Sequence, residues 1–209
     1  MKQVWDPSVP VERSAYYNEG EPIAYRPIAR KQVGLDLPTI VDLFCGCGGI
    51  STGFEMAGFK AILGVDIHGP SLASFRVNHP QAAAVLGDVS KLSEEDVRSL
   101  IGDAEPTVIS AGVPCQGFSM SNRKRWQDDK RNFLFKEFVR FVEMLNPEVI
   151  LLENVSGMRS TKGGQFVRDI TQAMSEAGDG YVVESRLLNS ADYGVPQTRQ
   201  RLIFVGHKA

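Results

Sequence analysis

Thr39-Ile40-Val41-Asp42-Leu43-Phe44-Cys45-Gly46-Cys47-Gly48-Gly49 decides the fold. Residues 39–44 read as a parallel strand buried on both faces. The glycines that follow make a tight turn, and a short helix runs from about Ser51 to a stop at Gly58. Strand, Gly-rich turn and helix form the first unit of a nucleotide-binding α/β sheet, in which Gly46, Gly48 and Gly49 let backbone approach a ligand closely. It is not the dinucleotide fingerprint, because Ser51 stands where G-x-G-x-x-G needs its third glycine.

Outward from that turn the pattern repeats. A second strand, residues 61–65, ends in Asp66, and a third, residues 82–86, ends in Gly87-Asp88-Val89. Between them Pro70 opens a helix that stops near His79-Pro80, and Ser93 with Asp96 forms a capping box for the next helix. An acid at the end of strand two can accept the hydroxyls of an adenosine ribose. Alone, each aspartate also suits a cap or a turn. Together with the glycines they imply an adenosine pocket without a pyrophosphate grip, which favours S-adenosylmethionine over NAD.

A fourth strand, residues 106–111, feeds into Gly112-Val113-Pro114-Cys115-Gln116-Gly117-Phe118-Ser119. Cys115 therefore stands at the carboxyl end of a strand, where such sheets place their chemistry, and a stabilised thiolate there is a strong nucleophile. The competing reading is a small buried cysteine. Residues 120–131 form a polar loop carrying Arg123, Lys124, Arg125, Trp126, Lys130 and Arg131, either a solvated face or a phosphate-contacting lid. A helix over about residues 132–145 follows, with Leu134, Phe138, Phe141, Val142 and Leu145 on one stripe.

A fifth buried strand, residues 147–155, carries Glu153, whose burial among apolar neighbours would let it hold or share a proton. A helix over about residues 165–177 stops at Gly178, and two strands close the sequence, residues 181–187 and 201–205. In the loop before the last strand, Arg199 and Arg201 alternate in extended chain and so point the same way, a pair suited to phosphate or carboxylate.

With 209 residues, 43% hydrophobic and 23% charged, the chain is long enough for a sizeable core. A net charge of -2 means that any polyanionic partner must meet a local basic patch. The three cysteines, Cys45, Cys47 and Cys115, make no disulfide framework, and Cys45-x-Cys47 without a histidine cluster is no metal site. No apolar run approaches membrane-spanning length, so no membrane is expected, and a reducing compartment is: cytoplasm in a bacterium or archaeon, nucleus in a eukaryote. Residues 1–37, Pro-punctuated and aperiodic, read as an arm or irregular lead-in, and 38–209 as one domain.

The ordered set Asp42-Leu43-Phe44-x-Gly46-x-Gly48-Gly49, Pro114-Cys115-Gln116-x-Phe118-Ser119, Glu153-Asn154-Val155 and Gln197-x-Arg199-x-Arg201 resembles the cytosine-5 DNA methyltransferase family. The resemblance runs from Asp42 to about Gly206. It implies a Rossmann-like methyltransferase fold with a mostly parallel seven-stranded sheet and an antiparallel final hairpin. The implied activity is methylation of carbon 5 of a cytosine flipped out of double-stranded DNA, as restriction-modification systems use. It implies Cys115 as nucleophile, Glu153 as the group that binds the ring's N3 and amine, and Arg201 and Arg199 beside the base. Phe44, Gly46, Asp66, Ile67, Asp88, Val89, Pro114 and Leu134 fall where that family holds S-adenosylmethionine. Gln116, Ser119, Ser121, Arg123, Lys124, Arg125, Trp126 and Gln197 fall on the DNA side.

Two departures accompany it. Asn122 and Trp126 occupy loop positions where the family commonly has glycine. No target-recognition domain or closing motif is visible by residue 209, which implies a second chain, or a longer one, carrying the sequence reader. An RNA (tRNA) methyltransferase of the same chemistry and a catalytically inactive binding scaffold are the alternatives.

Overall fold

The structure, a computed structural model, describes residues 1–4, 6, 8–11, 17–28, 37–114 and 133–208. It divides into two units, Met1–Ser110 and Ala111–Ala209.

In the first unit the strands are β1 (Lys2–Val4), β2 (Ile23–Tyr25), β3 (Thr39–Leu43), β4 (Lys60–Asp66), β5 (Ala83–Leu86) and residues 108–110 of β6 (Val108–Gly112). They lie in the order β1-β2-β5-β4-β3-β6. Helices α1 (Gly49–Met56) and α2 (Gly69–Asn78) form the crossovers β3-α1-β4 and β4-α2-β5 between parallel neighbours, as hydrophobic runs interrupted by glycine turns dictate. Ile40, Val41 and Leu43 are fully buried, the mark of a strand covered on both faces.

Asp42 interrupts that apolar run. Its carboxyl accepts hydrogen bonds from Ser51 Oγ and Ser110 Oγ, both at 2.7 Å, which fastens α1 and β6 to β3. Burial drives this carboxyl up to about 6, only partly countered by the two hydroxyls. Packing at β4 depends on one missing side chain: a Cβ on Gly64 would lie 2.3 Å from the Phe75 ring, so glycine lets α2 seat Phe75 on the strand. Ser93 and Asp96 form the expected capping box of α3 (Glu94–Ile101).

The lead-in has more structure than its sequence suggests. β2 pairs antiparallel with β5, and β1 pairs parallel with β2. Arg76 of α2 stacks its guanidinium 4.9 Å from the Tyr25 ring centre and donates to the carbonyl of Val9. Strands three residues long carry no readable period, which is why aperiodicity misleads here. With these two, the described residues form nine strands, against the seven expected.

In the second unit α4 (Phe133–Leu145), β7 (Val149–Val155), α5 (Gln165–Ser175), β8 (Tyr181–Asn189) and β9 (Gln200–Lys208) follow the end of β6, with strand order β6-β7-β9-β8. β9 runs antiparallel to both β7 and β8, giving the expected closing hairpin. Phe138, Phe141, Val142, Ile150, Met174 and Phe204 are buried in its core. The Tyr181 hydroxyl donates to the Pro147 carbonyl at 2.6 Å, tying β8 to the entry of β7. Among the described residues no helix is long and apolar enough to cross a membrane.

Candidate active site

The chain leaves β3 through two left-handed residues, Phe44 and Gly46, each with φ near 55°. For a phenylalanine that conformation is strained, and such strain collects at functional turns. The turn is fixed from β4: Cys45 N–H donates to the Val65 carbonyl at 3.0 Å, and Gly46 N–H donates to Asp66 Oδ2 at 2.7 Å. Asp66 Oδ1 accepts from His68 N–H at 2.7 Å. Each Asp66 oxygen thus holds one backbone amide and keeps a second lone pair for a ligand hydroxyl. Among the described residues, a Cβ added to Gly46 or Gly49 would meet nothing within 4 Å, so they leave the space before the turn open.

Gly48 is different. A Cβ there would fall 2.1 Å from His79 Nε2, and its φ is 91°. Buried His79 reaches the Gly48 carbonyl through Nε2 at 3.1 Å and Glu55 Oε2 through Nδ1 at 2.8 Å. It therefore clamps the glycine turn to the last turn of α1. In the sequence His79 reads only as a helix stop.

Asp66 pairs in register with Leu86, so Asp66 and Asp88 follow one another at the same end of adjacent parallel strands. Asp88 caps a 3-10 turn, Val89–Lys91, its Oδ1 accepting from Ser90 N–H at 2.9 Å and Ser90 Oγ at 2.8 Å. Val89 is buried and Ile67 partly so. Cys45 is also buried, and desolvation, with Asp42 and Asp66 nearby, pushes its thiol well above the ordinary range. That leaves it inert.

In the second unit Glu153 and Arg201 meet. Glu153 stands opposite Ile203 and Arg201 opposite Val155, so the two are diagonal neighbours on one face. Arg201 Nε lies 2.6 Å from Glu153 Oε1, and their side chains are 25% and 26% exposed. The apolar burial expected of Glu153 is not what surrounds it: a guanidinium is. Neighbouring Asn154 points to the opposite side, buried, and donates from Nδ2 to the Val113 carbonyl at 3.4 Å. It holds the segment that leads to Cys115, a positioning role that its place next to Glu153 could have signalled.

Arg199 and Gln197 are exposed and precede β9; the Arg199 N–H donates to Asn189 Oδ1 at 3.1 Å. Pro114 is exposed and Leu134 of α4 half-buried. Cys115, Gln116, Ser119, Ser121, Arg123, Lys124, Arg125 and Trp126 lie outside the described residues. Among the described residues no cluster of histidine, cysteine and acid could hold a metal ion.

Residues 38–209 match the model of the C-5 cytosine-specific DNA methylases. The chain belongs to that family.

Among curated relatives it is 42% identical over 172 residues to the type II methyltransferase M.DdeI of Desulfomicrobium norvegicum, covering 81% of this chain and 40% of that protein. It is 39% identical to M1.HphI of Haemophilus parahaemolyticus, covering 81% of this chain and 46% of the relative. The chain thus spans less than half the length of these relatives. Among solved structures, a candidate DNA modification methyltransferase encoded in an Escherichia coli prophage superimposes with a TM-score of 0.69 at 34% identity, over 82% of this chain and 47% of that one. The fission-yeast Dnmt2 methyltransferase, at 21% identity and a TM-score of 0.61 over 81% of this chain and 50% of that one, shares the fold.

Proposed function

We propose that residues 38–209 form the catalytic and cofactor-binding part of an S-adenosylmethionine-dependent DNA cytosine-5 methyltransferase. The observation that carries the reading is the Glu153–Arg201 pair beside the strand that delivers Cys115, in a chain of the C-5 methylase family.

The cofactor pocket is the turn at Gly46, Gly48 and Gly49, open at Gly46 and Gly49. Its donor set suits adenosine: two free lone pairs on Asp66, a second carboxylate at Asp88, and glycines that let a ligand reach backbone. Phe44, Ile67 and Val89 supply its apolar contacts. When bound, S-adenosylmethionine would supply an electrophilic methyl group, its sulfur keeping the electrons of the broken S–CH3 bond as it leaves as S-adenosylhomocysteine.

Carbon 5 of cytosine is too weak a nucleophile to take that methyl unaided. The Cys115 thiolate forms a bond to carbon 6, the ring's π electrons shift, and carbon 5 becomes the enamine carbon that accepts the methyl group. A base then removes the carbon-5 proton, the ring double bond re-forms, and the thiolate leaves with the electrons of the sulfur–carbon bond. Thiolate addition puts negative charge into the ring, which Glu153 offsets by giving a proton to N3 while its carboxyl accepts from the exocyclic amine. Arg201 holds Glu153 Oε1 and so sets the angle at which the free oxygen meets the base. A stacked cytosine is out of reach, so the base is extruded, with Arg199, Gln197, Gln116, Ser119, Ser121 and the basic segment Arg123, Lys124, Arg125, Trp126 receiving phosphate and base.

The test is transfer of labelled methyl to duplex DNA and, in parallel, to a folded tRNA, with and without candidate recognition chains. Label on cytosine carbon 5 of DNA supports the reading; label on RNA alone replaces it with the RNA alternative.

A further inference from the structure

We infer that Tyr17, held in place by Asn18, forms a wall of the adenosine end of the cofactor pocket. The inference rests on the cofactor reading above and assigns a ligand contact to a segment outside residues 38–209.

The direction of the chain places it there. β2 pairs antiparallel with β5, Ile23 opposite Leu86, so the residues before Ile23 run past the carboxyl end of β5. That is the end at which Asp66 and Asp88 stand. Asn18 fastens the segment across both strands. Its main-chain N–H donates to the Ile67 carbonyl at 2.9 Å, and its Nδ2 donates to the Leu86 carbonyl at 2.9 Å. The same Nδ2 donates to the Glu21 carbonyl at 3.1 Å, and Oδ1 accepts from Gly20 N–H at 3.1 Å. Asn18 therefore bridges the residue after Asp66 and the residue two before Asp88. Its side-chain amide is committed to this bridge, so it acts by position.

The surrounding residues are cut to admit the segment. A Cβ on Gly87 would lie 2.9 Å from Pro22 Cα, so the residue beside Asp88 must be glycine for the chain to pass. From the far side Lys91 Nζ donates to the carbonyls of Glu19 and Gly20. What this framework presents is Tyr17, 51% exposed, its ring centre 5.4 Å from that of His68, two residues beyond Asp66. An adenosine whose ribose sits on Asp66 needs a flat apolar face for its base, and an aromatic ring serves any purine face.

Calorimetric binding of S-adenosylhomocysteine and of adenosine to the full 209-residue chain tests this, with the Tyr17→Ala and Tyr17→Phe variants. Tyr17→Ala is expected to weaken both ligands by the same factor, at least about five-fold, since a stacked ring is lost. Tyr17→Phe should bind as the unmodified chain does, and the melting temperature of neither ligand-free variant should fall by more than about two degrees. Asn18→Ala should weaken both ligands as well, by freeing the segment. Unchanged affinity in Tyr17→Ala would overturn the inference and leave the cofactor reading intact. Binding of neither ligand by the unmodified chain would overturn the cofactor reading, and the inference with it.

Discussion

Arg201 Nε and Glu153 Oε1 lie 2.6 Å apart on neighbouring antiparallel strands, both three-quarters covered yet open on one side. As a pair near the surface it stabilises the fold by roughly 1 kcal/mol or less, so its geometry is not explained by stability. Among the described residues no hydrogen bond engages the other Glu153 oxygen, which the proposed reaction uses.

Glu153→Gln and Arg201→Ala should each lower methyl transfer by about 100-fold or more, the usual range for a positioned acid–base group. Thermal melting should shift by only a few degrees. The double variant should lose little more than either single one, because the two act as a unit. Additive losses in a double-mutant cycle would show that they act separately.

Gly48→Ala should destabilise the first unit by roughly 2–3 kcal/mol, since it places a Cβ at positive φ and 2.1 Å from His79. Gly48→Ala combined with His79→Ala should recover part of that loss, because the clash is removed while the backbone strain stays. Urea melts of the four proteins measure the coupling.

Asp42 gives the stability a pH signature. Its carboxyl titrates at about 6 in the folded protein against an ordinary 3.8, so the folded state holds a proton that the unfolded chain gives up. Its contribution is therefore full below pH 3.8 and is lost as pH rises through about 6, by on the order of 2–3 kcal/mol. Asp42→Asn should abolish that decline relative to the unmodified chain. A difference in stability that stays flat from pH 4 to 6 would count against a buried, protonated Asp42.

Cysteine reactivity should divide sharply. Exposed Cys47 should alkylate at neutral pH, while buried Cys45 should react only on unfolding. Peptide mapping after a short iodoacetamide pulse distinguishes them.

Much of this was legible in residue patterns, for physical reasons. The apolar run ending in Leu43, the capping box at Ser93 and the stripe on α4 each declare one element through local chemistry, and so do the acids that end β4 and the strand before Asp88. What stayed hidden depends on distance in sequence. The fit of Phe75 against Gly64, the clamp of His79 on Gly48, and the staple from Asn18 to Ile67 and Leu86 are contacts that no window of residues contains. Glu153 shows the same limit: an apolar strand predicted burial, but its partner, Arg201, arrives from a strand whose register cannot be read locally.

The most direct measurement uses duplex DNA carrying 5-fluorocytosine, whose fluorine cannot leave as a proton and so traps the thioether. With S-adenosylmethionine and a matching recognition chain, a covalent complex should survive denaturation, map by peptide mass spectrometry to Cys115, and vanish in Cys115→Ser. Methyl transfer to DNA without any adduct at Cys115, or an adduct that persists in Cys115→Ser, would contradict it.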